Sequence, residues 1–100
     1  MKEQQTESQI TRAIRDTLKL LGIFNWKAWQ GPMSTPGVPD ILGVWQGRML
    51  GIEVKKPGNK PTPTQQRFID RINREGGKAF VACCVEDVIR ELNAGDRFLF

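Results

Sequence analysis

Apolar residues recur along this chain at two periods, and the changes of period mark its elements. Ile10, Ile14, Leu18 and Leu21, with Ala13 between them, repeat at helical spacing. Thr6 and Gln9 form a capping box ahead of them and Gly22 follows, so the spacing predicts a helix over residues 7–21. Residues 24–30 (FNWKAWQ) change to alternation, with Phe24, Trp26 and Ala28 on one side and Asn25, Lys27 and Trp29 on the other. That is a strand, suited to the edge of a sheet. Residues 31–38 are rich in Gly and Pro and read as a loop. Two apolar runs follow, Ile41, Leu42, Val44, Trp45 and then Met49, Leu50, Ile52, Val54, with Gln46-Gly47-Arg48 as the break of a hairpin. Thr62-Pro63-Thr64-Gln65 starts a second helix, with Phe68, Ile69 and Ile72 facing inward and Gly76-Gly77 ending it. Residues 78–84 (KAFVACC) read as a buried strand. Residues 85–92 read as a helix with Val85, Val88, Ile89 and Leu92 inward, stopped by 93–95.

The order α-β-β-β-α-β-α predicts an α/β fold, a mixed sheet of about four strands flanked by helices. The last strand should run parallel to the second hairpin strand, through a right-handed crossover. The tail 96–100 (DRFLF) ends in apolar residues and is expected to bury against a partner.

Composition narrows the chemistry. One hundred residues are expected to form one domain over 1–100, with a core over about 7–92. No apolar run reaches the ~20 residues a bilayer span needs. Residues 1–9 carry no apolar leader, so a cytoplasmic or nucleoid-associated protein is expected, without a membrane partner. Cys83 and Cys84 are adjacent and unsuited to pairing with each other; one inward and one outward on a strand is the expectation. The absence of histidine excludes Ser-His-Asp and Cys-His catalysis and a His general base. Fifteen Lys and Arg against eleven Asp and Glu give a net charge of +4, which suits either a polyanionic partner or an ordinary basic surface.

The hairpin carries the candidate chemistry. Alternation puts Leu50, Ile52 and Val54 on one face and Gly51, Glu53 and Lys55 on the other, with Glu53 and Lys55 roughly 6.6 Å apart along the strand. A turn at Gly47-Arg48 sets Asp40 opposite Lys55, and a turn at Gln46-Gly47 sets it opposite Glu53. Both put Asp40 on the Glu53 face, whereas a three-residue loop does not. Two carboxylates side by side repel unless a cation lies between them, and hard divalent cations such as Mg²⁺ favour oxygen ligands. A neighbouring Lys can orient a water or steady a developing negative charge. The plainer reading is a turn-capping Asp beside a solvated Glu–Lys pair. Glu7 is likewise either a core-facing carboxylate or a favourable charge at the positive end of a helix. Trp29 reads as a stacking platform for DNA, a contact between copies or a half-buried sheet aromatic.

Gly37-Val38-Pro39-Asp40, then Ile52-Glu53-Val54-Lys55-Lys56, then Thr62-Pro63-Thr64-Gln65 resemble the PD-(D/E)xK signature in the form of a stand-alone virus-type replication-repair nuclease (VRR-NUC) domain. The resemblance spans roughly residues 7–92. It implies a restriction-endonuclease-like core and metal-dependent hydrolysis of DNA. Asp40, Glu53 and the Val54 backbone carbonyl would hold Mg²⁺ or Mn²⁺, with Glu7 adding a ligand directly or through water. Lys55 would position water and phosphate, and Gln65 would assist from its helix. Lys27, Lys56, Lys60, Arg67 and Arg71 are candidates for DNA contact, or solvated surface charges. The resemblance further implies a homodimer acting on branched DNA such as four-way junctions. A less selective nuclease for flaps or ends, a non-catalytic DNA-binding module, and a small basic structural protein are the alternatives.

Overall fold

The computed structural model describes residues 4–93. Its elements are α1 (Glu7–Leu20), β1 (Asn25–Lys27), β2 (Ile41–Trp45), β3 (Arg48–Val54), α2 (Pro63–Arg74), β4 (Lys78–Ala82) and α3 (Val85–Asn93). The four strands form one mixed sheet in the order β1-β2-β3-β4. The first two pairings are antiparallel and β3–β4 is parallel, as the helical crossover through α2 requires. This is the α/β arrangement expected from the periodicities, with β1 at an edge.

Local chemistry sets the element ends. Thr6 and Gln9 close a capping box on α1, and Thr62 and Gln65 close another on α2. Gln46 and Gly47 both adopt positive φ, 53° and 74°. That is the geometry of a two-residue turn whose twist matches the flanking strands. It fixes the ladder as Ile41↔Ile52, Leu42↔Gly51 and Trp45↔Arg48.

The main core lies on one face of the sheet, where Ile10, Ile14 and Leu18 of α1 and Val88 and Leu92 of α3 pack against Ile41, Trp45, Leu50, Ile52, Val54, Phe80 and Ala82. A smaller cluster on the other face joins Ile69, Ile72 and Phe68 of α2 to Ala79 and Val81. Alternation carries Gly51 and Glu53 onto this second face.

Several expectations are corrected. Leu21 and Ile89 are exposed, at 56% and 41%: α1 ends at Leu20, which leaves Leu21 as its cap, and Ile89 lies at the margin of the apolar stripe of α3. β1 keeps only three of the seven residues its alternation suggested. β4 ends at Ala82, not at residue 84. The Asp87 carboxylate accepts the Cys83 N–H at 2.8 Å, which draws the chain out of the strand and into α3. Both cysteines are therefore free, half-buried residues of a bend. Residues 94–95, expected to stop α3, and the apolar tail 96–100 lie outside the described residues.

Strand direction gathers the helix starts at one end of the sheet. β1, β3 and β4 run the same way, and each helix runs back against the strands it joins. α1, α2 and α3 therefore all begin at the end where β3 finishes and β2 starts. The positive ends of three helix dipoles face that end.

Gly37 fastens the loop before β2 to the start of α2. Its φ is +83°, and a Cβ there would lie 2.7 Å from the Thr64 carbonyl oxygen. Gly58, at φ +88°, has open space around it. Gly58→Ala should therefore cost about 1 kcal/mol of backbone strain, and Gly37→Ala about 2 kcal/mol or more because the clash adds to the strain. Urea denaturation of the two variants checks this; equal losses would remove the steric argument.

Candidate active site

The ladder, continued past Ile41↔Ile52, sets Asp40 opposite Glu53 and Pro39 opposite Val54. Of the two turns open in the sequence, the Gln46-Gly47 turn is the one formed. The Asp40 side chain takes over where the backbone ladder stops: its Oδ2 accepts the Val54 N–H at 2.8 Å. The Lys55 N–H points the other way, to the Ala82 carbonyl at 3.1 Å. In an extended strand a residue's own N–H and C=O point to the same side, so the Val54 carbonyl also faces Asp40. Pro39, opposite it, has no N–H to offer.

Glu53 is 3% exposed. Its Oε2 lies 3.8 Å from Lys55 Nζ, and among the described residues no donor reaches its Oε1. Burial, then the charge of Asp40, then the hydrogen bond its protonated form offers Asp40 push the Glu53 carboxyl up to about 8, against an ordinary 4.5. Lys55 opposes that rise, and the charge of Glu7 adds to it. Without a cation, the site keeps a proton on Glu53 into the neutral range.

Asp40 is held from two sides. Its Oδ1 accepts from Gln30 Nε2 at 3.1 Å, and the same amide reaches the Val38 carbonyl at 3.4 Å. The sequence reading assigned Gln30 no role. The β1–β2 register, Lys27↔Ile41, extends to set Gln30 opposite Val38. That pairing spans the loop over 31–38, and no local pattern predicts it.

The remaining candidates are placed less tightly. Among the described residues no group of three or more Asp, Glu, Cys or His side chains comes together as metal ligands would. Glu7 is exposed at the start of α1 and acts on Glu53 through its charge, with no direct contact between them. Gln65 is half-buried, and its Oε1 accepts the Thr62 N–H at 2.9 Å in the capping box. Its amide nitrogen has no partner among the described residues. Its neighbour Thr64 touches Gly37, which ties the start of α2 to the Pro39-Asp40 segment. Lys56 is half-buried and Lys60 exposed on the loop after β3. Arg67 and Arg71 lie exposed on the outside of α2, Arg67 bonded to Thr64 at 3.3 Å and Arg71 paired with Glu75 at 2.8 Å. Lys27 is exposed on edge strand β1. Trp29 is 65% exposed, which rules out the half-buried reading.

The raised Glu53 pKa has a direction that can be measured. A folded-state pKa above the unfolded value stabilises the fold below pH 4.5, and that contribution is lost as pH rises through about 8. The metal-free protein should lose up to a few kcal/mol of unfolding free energy between about pH 5 and 8.5, at about 1.4 kcal/mol per unit. Chemical denaturation across that range checks this, and Glu53→Gln should flatten the profile. A wild-type profile that rises with pH would contradict the burial argument.

Comparison with known proteins follows the same geometry. The model of the VRR-NUC domain matches residues 4–86. One solved structure, a VRR-NUC domain, is 27% identical with a TM-score of 0.69, covering 84% of this chain and 90% of its own. A second, a VRR-NUC domain protein, is 21% identical with a TM-score of 0.71 and shares the fold, covering 97% of this chain and 90% of its own. No curated protein matches the sequence.

Proposed function

The chain belongs to the VRR-NUC family, and on that premise we propose that it is a metal-dependent DNA endonuclease selective for branched DNA such as four-way junctions. The observation that carries this reading is the buried Glu53 facing a half-buried Asp40, with an unsatisfied carboxylate oxygen and a lysine beside it. A fold has little reason to bury one carboxylate directly against another unless a cation joins them.

The donor set fits such an ion. Asp40, Glu53 and the Val54 carbonyl offer oxygen only, with no nitrogen or sulfur ligand, which suits Mg²⁺ or Mn²⁺. When bound, the ion supplies Lewis-acid polarisation of a phosphate oxygen. The chain's own residues do the rest. Val54 N–H and Gln30 fix the Asp40 carboxylate. Lys55 keeps Glu53 ionised once its proton has left, and orients the attacking water and the scissile phosphate. Gln65 offers its amide nitrogen to water or phosphate, and Glu7 holds an outer water. Lys56 and Lys60 meet phosphates on the loop after β3, with Arg67, Arg71 and Lys27 further out.

The Gln, Arg and Asn side chains of α2 are largely engaged by their own neighbours, Gln65 with Thr62, Gln66 with Asp70, Arg67 with Thr64, Arg71 with Glu75 and Asn73 with Ala79, which favours recognition of DNA shape over sequence. A two-fold homodimer would supply two sites for paired cuts across a junction. A DNA substrate suits a cytoplasmic setting; among the described residues no helix is long and apolar enough to cross a membrane. The second reading, a less selective nuclease on flaps or ends, shares the same site and differs only in substrate preference.

Asp40→Asn should fold as wild type and cut at least 100-fold more slowly in Mg²⁺ or Mn²⁺, with EDTA stopping the wild type. Labelled linear, flap and four-way-junction DNA distinguish the substrate readings; undiminished cutting by Asp40→Asn would sink the site assignment. Sedimentation at micromolar concentration should give a dimer, and a monomer there would remove the paired-cut arrangement.

A further inference from the structure

A second basic surface lies away from the carboxylate pair. Between α1 and β1 runs a groove of about 840 Å³, lined by Arg12, Arg15, Lys19 and Lys27 against a single carboxylate, Asp16. Arg12, Arg15 and Lys19 follow one another at three- and four-residue steps, so they form one line along the helix. Among the described residues Arg12, Lys19 and Lys27 enter no ion pair. Arg15 is braced across the groove, its Nε donating to Asn25 Oδ1 at 3.0 Å, while Asn25 donates to the Ile23 carbonyl at 2.9 Å. The terminal nitrogens of that guanidinium stay available.

The outer face of α2 differs. There Arg71 is neutralised by Glu75, and Asp70 and Glu75 alternate with the arginines. Of the two basic surfaces, the α1–β1 groove holds the larger excess, four cations against Asp16 where the α2 face sets Arg67, Arg71 and Arg74 against Asp70 and Glu75.

The groove lies on the α1 side of the sheet, and one of its ends falls at the end of the sheet where Glu53 stands on the opposite face. Its upper end is Ser8, next to Glu7, and Lys27, which pairs with Ile41 beside Asp40. The Ala28 N–H donates to the Asp40 carbonyl at 2.9 Å. From Ser8 to Lys19 the helix rises about 16 Å, the span of about five phosphates along one strand of duplex DNA. Phe24, 69% exposed, lines the groove and packs at a tilt against Trp26, with ring centroids 5.4 Å apart. A sequence-independent aromatic surface beside lysines and arginines suits nucleic acid.

We infer that the α1–β1 groove binds the phosphodiester backbone of the DNA flanking the cut and leads it along the sheet edge to Asp40 and Glu53. The inference rests on the nuclease reading for its substrate and on Arg12, Arg15, Lys19 and Lys27 for its location.

The test is binding of labelled duplex and junction DNA to the full chain in EDTA across a salt series, followed by cleavage in Mg²⁺ and Mn²⁺. Arg12→Ala/Lys19→Ala changes two exposed helix positions to a residue that favours helix. It should lose at least ten-fold in affinity and flatten the log–log salt slope by about two. Arg12→Lys should retain binding, and Arg67→Ala/Arg71→Ala should lose less than the groove variant. Wild-type affinity in the groove variant, or a larger loss in the α2 variant, would overturn the inference. So would a change confined to oligomeric state, which would make the groove a contact between copies. A wild type that cuts nothing in either metal, while the groove variant still loses binding, would sink the nuclease reading and leave the groove as a DNA tract.

Discussion

The register of the β2–β3 hairpin is the constraint on which the site depends. A two-residue turn with positive φ at Gln46 and Gly47 sets Asp40 across from Glu53. A slip of one residue would send one partner to the opposite face and bury its charge in the main core. The same register puts Leu50, Ile52 and Val54 under α1 and α3, so core packing and site geometry enforce one alignment. The hydrophobic face of β3 thus supplies the stability that holds an unfavourable carboxylate pair on the other face.

That pair sits where the fold can best tolerate it. Three helices begin at the same end of the sheet, and their aligned peptide dipoles favour negative charge there. Lys55 lies within reach of Glu53, and Asp40 is satisfied by one backbone and one side-chain donor. The residual cost falls on Glu53, whose buried oxygen has no donor among the described residues. Such a concentrated deficit is more often found at sites of chemistry than in structural cores.

Much of this could be read in the sequence because it is written locally. The capping boxes of α1 and α2, the alternation in β3 and the Gly47 turn are short-range signals, and each appears in the structure. That Asp40 shares a face with Glu53 and Lys55 followed from strand parity together with a two-residue turn, since a three-residue loop would have separated them. What escaped was carried by long-range contact. Gln30 meets Asp40 only because β1 pairs with β2 across the intervening loop. The Gly37–Thr64 approach joins segments that share no periodicity. Cys83 and Cys84 looked like strand residues because their apolar character continues that of β4, yet the Asp87 cap ends the strand before them.

Val54 serves two ends at once. Its side chain is fully buried in the main core, while its backbone carbonyl faces Asp40, opposite a proline that has no N–H to give. A backbone group of this kind is invisible to side-chain mutagenesis: exchanging valine for another apolar residue repacks the core and leaves the carbonyl in place. The position that can alter it is Pro39. Any other residue there would bring back an amide hydrogen that competes for the oxygen. A scan of side chains would therefore assign Val54 to stability and Pro39 to a turn, and would leave the carbonyl between them untried.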